Sequence, residues 1–392
     1  MAMSKEHEQD WEAAPVSVDQ EQPTVLSTAS SVLKEEEQQQ RLLLQELAAF
    51  LADSTKDGLF PLVAYSVTQD WVSILTTNIP DLPFAIRILA VVNRTGYNLG
   101  YSLRPEVIKR LANSNPHVFR LFERQLPRVH EVKLRRLGRV VSTFGAPFYE
   151  QKGFALLDMC GFSRLDNPSQ LSQLYSLTNA IDSSIKRCYN VCQRLRLPNR
   201  FGRTSTGDGF YLWHDFIGGN ADVATLFLLI CVMTQSEAMR DAGFPMRLRG
   251  GFVVDSSYMF YEADARMDPH AVASNAVGAA TNKAARLVSA AKPSQVLIGA
   301  FSRPGQADEK MDPSTMLAQV NELFREEGFG AAALELKPKT HLRIEDKHGD
   351  IHYCWNVVGN VPNQVGNRAT RVAIGLEPDS ATPIDQVKFV RC

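Results

Sequence analysis

The sequence predicts an α/β sandwich: a mixed, mostly antiparallel sheet flanked by helices and preceded by a helical N-terminal region. Three observations lead there. The apolar run "GFALLDM" (residues 153–159) reads as a buried strand that ends on an acid. "FGRTSTGDGFYLWH" places two short strand-like runs around Gly207-Asp208-Gly209, the pattern of a tight hairpin. Strands such as "MRLRGGFVVD" and "SQVLIG" then alternate with helical patterns, which calls for helices packed on a sheet.

Taken in order, residues 1–38 are polar and rich in Glu, Gln and Ser, too poor in apolar surface to offset ordering entropy, and are expected to be a disordered tail. Residues 39–148 carry helical spacing in "RLLLQELAAFLA", "FAIRILAVVNRTG" and "EVIKRLANS", so helices are expected to dominate that region. Its basic amphipathic stretch "PHVFRLFERQLPRVHEVKLRRLGRVV", broken near Pro127, reads as a solvated helix face or dimer contact before a site for an acidic partner. Residues 149–358 hold the strand and hairpin patterns. They also hold a long helix from about Pro168 to Leu195, with the proline in its first turn, a buried helix near Ala221–Asp241 and a helix across Ala279–Ala290. Residues 359–392 read as a peripheral tail.

Composition narrows the function. A chain of 392 residues can bury a sizeable core, and 42 Lys plus Arg against 43 Asp plus Glu leave no basic excess to attract nucleic acid or an anionic membrane. Six cysteines lie in apolar or helical stretches instead of framework spacings, which favours reduced thiols and a cytoplasmic setting. The most apolar run, "VATLFLLICVM", is shorter than the roughly 20 residues that span a bilayer and reads as a core helix, and the acidic N-terminus lacks the blocks of a signal peptide.

The chemistry concentrates at two acids. Asp158 ends one strand and Asp208 sits at a strand turn, so a sheet that pairs those elements brings both carboxylates to one edge. Two such groups repel unless a cation bridges them, and hard oxygen ligands suit Mg2+ or Mn2+. A pair of these ions about 3.5–4 Å apart is a recurring device for displacement at phosphorus. The Met159 carbonyl is a further candidate ligand. The turn through Gly161, Phe162 and Ser163 leaves room for backbone N–H groups to face a phosphate at the start of the next helix. Asn282 and Arg286 are four apart on a helix and project from one face, a neutral donor beside a fixed cation, although such a pair taken alone is a common surface feature.

Together "ALLDMCGFSRL", "TSTGDGFYLW" and "AVGAATNKAARL" resemble, in order and separation, the class III nucleotidyl cyclases, over about residues 150–358. The resemblance implies a catalytic domain that dimerises head to tail, with composite sites at the interface of a homodimer and two divalent ions per site. It implies that Asp158 and Asp208 hold the metals, that Asn282 orients the ribose and that Arg286 stabilises the transition state. Lys347, in "IEDKHGDIHYCWNV", lies roughly where such enzymes carry a phosphate-binding lysine, and also reads as a solvated turn residue.

The chain departs from that family at the positions that read a purine. Four residues before Asp208 stands Thr204, and seven before Asn282 stands Asn275, where adenylate cyclases carry lysine and aspartate. This departure resembles the pyrimidine cyclases of bacterial Pycsar antiphage systems, which implies cyclic UMP or cyclic CMP as product and a separate cyclic-nucleotide-responsive effector. An asparagine amide, turned either way, pairs with the edge of uracil or of cytosine. Adenine also remains, with Thr204 donating to N1. An inert nucleotide-binding module is the alternative of a different class, and the retention of all four polar residues argues against it.

Overall fold

The computed structural model describes residues 38, 42–43, 45–47, 49–55, 61–93, 101–126, 137–138, 140–141, 143–241, 243, 246–261, 272–304, 310–327, 333–345, 349–365, 368–374 and 390–391. The chain divides into two units, Met1–Ala49 and Phe50–Cys392. The described residues of the first are helical. The tail expected over 1–38 lies, save residue 38, outside the described residues.

The second unit opens with a four-stranded sheet, which corrects the expectation of a region dominated by helices. Strands β1 (Leu62–Val67) and β2 (Trp71–Thr77) form a hairpin, β3 (Tyr101–Ser102) pairs with β1, and β4 (Phe119–Gln125) pairs antiparallel with β2. Helices α1 (Leu82–Asn93) and α2 (Pro105–Ser114) bear the expected helical patterns and cover the sheet, burying Ala85, Leu89, Ile108 and Leu111 against Val63 and Leu75. The physical reason for the difference lies in β2, where "VSILTT" is buried from end to end. Such a strand shows no alternation for a period-2 reading to find. Within the basic stretch Phe119–Gln125 is strand β4, in which Arg120 is exposed and Arg124 half-buried.

The main sheet is mixed and mostly antiparallel. Its strands are β5 (Phe148–Met159), β6 (Phe201–Ser205), β7 (Gly209–His214), β8 (Leu248–Phe260), β9 (Asn275–Val277), β10 (Val296–Gly299), β13 (Ala333–Glu345), β14 (Ile351–Val365), β15 (Arg368–Ile374) and β16 (Val390–Arg391). The order runs β16-β13-β14-β10-β8-β5-β7-β6, with β15 on β14 and β9 on β8. Arg303–Pro304 and Lys310–Met311 make a separate small pair, β11 and β12. Since β14 runs through residue 359 and β15 pairs along its second half, the segment read as a peripheral tail contributes strands to this sheet.

Alternation along β5 sorts the two faces. Ala155, Leu157 and Met159 pack with α3 (Asn167–Arg194), α4 (Gly219–Asp241) and α6 (Pro313–Glu326), while Phe154 and Leu156 pack with α5 (Ala279–Ala290). Pro168 stands in the first turn of α3, and Asp166 caps that helix by accepting the Ser169 N–H at 3.0 Å. Helix α4 is longer than its most apolar run and, by length and composition, long enough to cross a membrane, yet 83% of that window is buried in the fold. Cys188, Cys192 and Cys231 are core residues of this layer, and burial pushes the Cys192 and Cys231 thiols up to about 12.

A buried polar network closes the end of β5 remote from Asp158. Lys152 donates to the carbonyls of His214 and Phe216 at 2.8 and 3.0 Å, and Asp222 accepts the Gly153 N–H at 2.7 Å and pairs with Arg303. His214 accepts the Phe216 N–H on Nδ1 at 3.1 Å, so its proton sits on Nε2, which faces the Pro198 carbonyl at 2.9 Å. Burial, with Lys152 and Arg200 nearby, lowers the His214 pKa to about 4. Below its unfolded pKa the unfolded chain takes up a proton that the folded chain refuses, so this contribution is full above about pH 6.5 and is lost as pH falls towards 4. Asp222, raised to about 6 by burial, acts with the opposite sign in an overlapping window, which makes a paired comparison necessary. Relative to His214→Gln, the wild type should lose up to about 3 kcal/mol of stability between pH 6.5 and pH 4, read from urea midpoints across that range.

Candidate active site

The two acids meet at the end of β5. Asp158 lies opposite Gly209 in the β5–β7 pairing, and the Met159 N–H donates to the Asp208 carbonyl at 2.9 Å. A Cβ on Gly209 would stand 2.0 Å from the Leu157 carbonyl oxygen, so the close approach that carries Asp208 to Asp158 needs glycine there. By the alternation of β5, Asp158 continues the series of Phe154 and Leu156 and faces the α5 side, while the Met159 side chain is buried on the other.

Sequence reasoning missed a third member. Arg249, opposite Asp158 on β8, places Nε 2.7 Å from Asp158 Oδ2 and directs Nη1 at the Ser289 and Ala291 carbonyls, each at 3.4 Å. Its only sequence signal is a cation inside the strand "LRGGFVVD". Burial pushes the Asp158 carboxyl above its ordinary value; Arg249 pulls it down, and Asp208 pushes it up again.

Beyond Asp158 the chain turns at Gly161, whose φ of 78° is left-handed, into a 3-10 turn over Phe162–Arg164. Gln170 Nε2 donates to the Phe162 carbonyl at 3.3 Å. The helix start expected to offer N–H groups to a phosphate is thus this short turn, because the first turn of α3 is already occupied by the Asp166 carboxylate.

Asn282 and Arg286 share one face of α5, as their spacing requires. They line a pocket of about 590 Å³ together with Lys283, Asp255, His352 and Tyr353. Asp158 and Asp208 are not among its lining residues. Arg249 ties Asp158 to the C-terminal end of α5, whereas Asn282 stands in its first turn, seven residues before Ser289, a rise on the order of 10 Å. One chain therefore brings the acids together and the two donors together, but not the acids to Asn282. Lys347 lies outside the described residues.

Thr204 and Asn275 converge on one residue. The Thr204 hydroxyl donates to the Ser274 carbonyl, and Asn275 Nδ2 donates to Ser274 Oγ at 3.3 Å. Arg203, beside Thr204, is paired with Asp182 at 2.5 Å. Tyr258 packs at a tilt on Phe148, with ring centroids 4.8 Å apart, and against the N-terminal sheet and its helices.

The donor set fits a hard divalent cation. Two adjacent carboxylates, one raised by burial and by its neighbour's charge, supply oxygen ligands and excess negative charge. Carboxylate oxygens suit Mg2+ or Mn2+, which retain waters and accept phosphate oxygens; among the described residues no cluster of three or more His, Cys, Asp or Glu side chains occurs.

No protein-family model matches the chain, and no characterised protein matches it by sequence. Solved structures do align with it. The adenylyl cyclase CyaB from P. aeruginosa is 14% identical, over 54% of this chain and 95% of that one, with a TM-score of 0.33. The guanylate cyclase domain of RhGC from Catenaria anguillulae, in complex with GTP, is 13% identical over 55% and 99%, with a TM-score of 0.34. The guanylyl cyclase Cya2 is 13% identical over 59% and 99%, also at 0.34. At these scores the likeness carries no weight, and the site is read from its own residues.

Proposed function

We propose that this protein is a nucleotidyl cyclase that converts a pyrimidine nucleoside triphosphate, UTP over CTP, into a 3′,5′-cyclic nucleotide and pyrophosphate. The observation that carries the reading is the meeting of Asp158 and Asp208 at one sheet end. Asp158, Asp208 and the Met159 carbonyl hold the cations. Bound there, Mg2+ or Mn2+ supplies Lewis-acid stabilisation of the ribose 3′-oxygen and of the phosphates.

The chain's own groups do the positioning. Arg249, the counterion of Asp158, would be available to a phosphate oxygen where the acids hold a cation instead. Asn282 orients the ribose and Arg286 faces the charge that builds at the α-phosphorus. The 3′-oxygen forms its bond to that phosphorus in line with the breaking bond to the β-phosphate; the hydroxyl proton passes to solvent water and pyrophosphate leaves. Attack within one molecule gains from proximity. Phe162 of the 3-10 turn and Lys347 contact the phosphates, and Thr204 and Asn275 read the base.

Separation of the acids from Asn282 along α5 supports a homodimer in which each subunit lends Asn282 and Arg286 to its partner's acids. By the resemblance to Pycsar enzymes, the product is a messenger of antiphage signalling read by a separate effector, in the cytoplasm.

Incubation of the purified protein with Mn2+ and each of the four ribonucleoside triphosphates should give cyclic UMP as the main product; cyclic AMP alone would overturn the base assignment. Tight nucleotide binding with no pyrophosphate release would favour the inert module. Arg286→Ala should lower kcat on the order of 10²–10³-fold. Mixing inactive Asp208→Asn with Arg286→Ala should restore activity to about a quarter of wild type, since half the dimers then carry one intact site; no recovery would exclude the shared site.

A further inference from the structure

We infer that Lys283 is a further substrate-binding residue, a third donor of the α5 pocket that takes the β- and γ-phosphates of the nucleotide and holds the pyrophosphate that leaves. The inference rests on the cyclase reading above and goes further, by giving the leaving group a contact that the resemblance does not imply.

Helical spacing brings Lys283 to the pocket. Ala279, Asn282, Lys283 and Arg286 stand at i, i+3, i+4 and i+7 on α5, and all four line the same cavity of about 590 Å³. Ala280, Ala284, Leu287 and Val288 on the other side are buried in the core, which fixes the helix with its polar stripe turned to the cavity.

The ammonium group sits in the cavity wall. Lys283 Nζ donates to the Ala300 carbonyl at 2.9 Å and lies 3.5 Å from Asp255 Oδ2, and Ala300 and Asp255 line the cavity as well. Gly299 leaves room for the stem, since a Cβ there would stand 3.3 Å from Lys283 Cε. An ammonium has three protons, of which these partners direct two. The side chain remains 17% exposed, which leaves the head a path to a ligand.

Two acids share the cavity, and neither closes it to an anion. Asp255 Oδ1 accepts the Ser256 N–H at 2.8 Å while Oδ2 faces Lys283, so both of its oxygens are engaged within the wall. Asp350 is exposed just before β14, where water and salt screen it. Two cations and an amide on one stripe suit a ligand with acceptor oxygens on successive phosphorus atoms. With the ribose at Asn282 and the α-phosphorus at Arg286, Lys283, which leans toward β8 and β10, meets the phosphates beyond. There a fixed cation stabilises the charge that builds on the leaving group.

Inorganic pyrophosphate is the probe. Its binding is measured by calorimetry in EDTA, so that the cavity is read without a metal, for wild type, Lys283→Met and Lys283→Arg. Lys283→Met should weaken binding about tenfold or more, the scale of one charge-assisted hydrogen bond, and Lys283→Arg, which keeps the charge, should restore most of it. An affinity unchanged in Lys283→Met overturns the inference, as does wild type that binds no pyrophosphate. A loss of equal depth in both variants overturns it too, since that marks lost packing instead of lost charge. Should Lys283→Met fail to fold, Lys283→Gln, which still has a donor for the Ala300 carbonyl, carries the same comparison. Cyclic nucleotide formation with Mn2+ is read in parallel. Pyrophosphate binding that follows Lys283, without a cyclic product from any of the four triphosphates, overturns the cyclase reading alone; a cyclic product with pyrophosphate affinity indifferent to Lys283 overturns only the inference.

Discussion

The antiparallel contact between the ends of β5 and β7 is the constraint on which the rest of the site depends. The Met159 N–H bonds the Asp208 carbonyl, and Gly209 lies so close to the Leu157 carbonyl that a methyl group has no place. Backbone bonding at this point sets a carboxylate on each strand beside the other. The repulsion that results is a local cost, and the fold offsets part of it with Arg249, a third strand's cation placed across from Asp158. Two acids and one guanidinium make a site that is compensated in the absence of a metal and still has oxygen ligands to give one.

The same strand builds the core and the site. Alternate residues of β5 enter two separate apolar layers, and the last position on the α5 side is the acid. A one-residue slip of β5 would send Asp158 into the layer under α3 and α4 and bring Met159 to the surface, so packing of the core enforces the register that the chemistry needs. Glycine at 209 and burial of Leu157 serve one end.

Much of this was legible because the signals are local. The strand that ends on Asp158, the hairpin around Asp208 and the helix Ala279–Ala290 with its i, i+4 pair each occupy a short window and obey one period. The N-terminal sheet was not legible, since β2 is buried along nearly its whole length and gives no alternation. β15 was missed because a strand added at residues 368–374 is specified by its partner β14 more than by its own pattern. Arg249 and Ser274 share another reason. Each meets a partner some seventy to ninety residues away, Asp158 for one and Thr204 for the backbone of the other, and nothing within the window of either residue marks the meeting.

Strand β8 joins these distant features into one argument. Near its start Arg249 bonds Asp158; near its end Phe260 pairs with Asn275, and Tyr258 packs against Phe148 and the N-terminal sheet. The N-terminal sheet is packed onto the strand that carries the counterion of Asp158 at one end and pairs with Asn275 at the other. Its contact at Tyr258 thus falls on the strand that pairs with both Asp158 and Asn275.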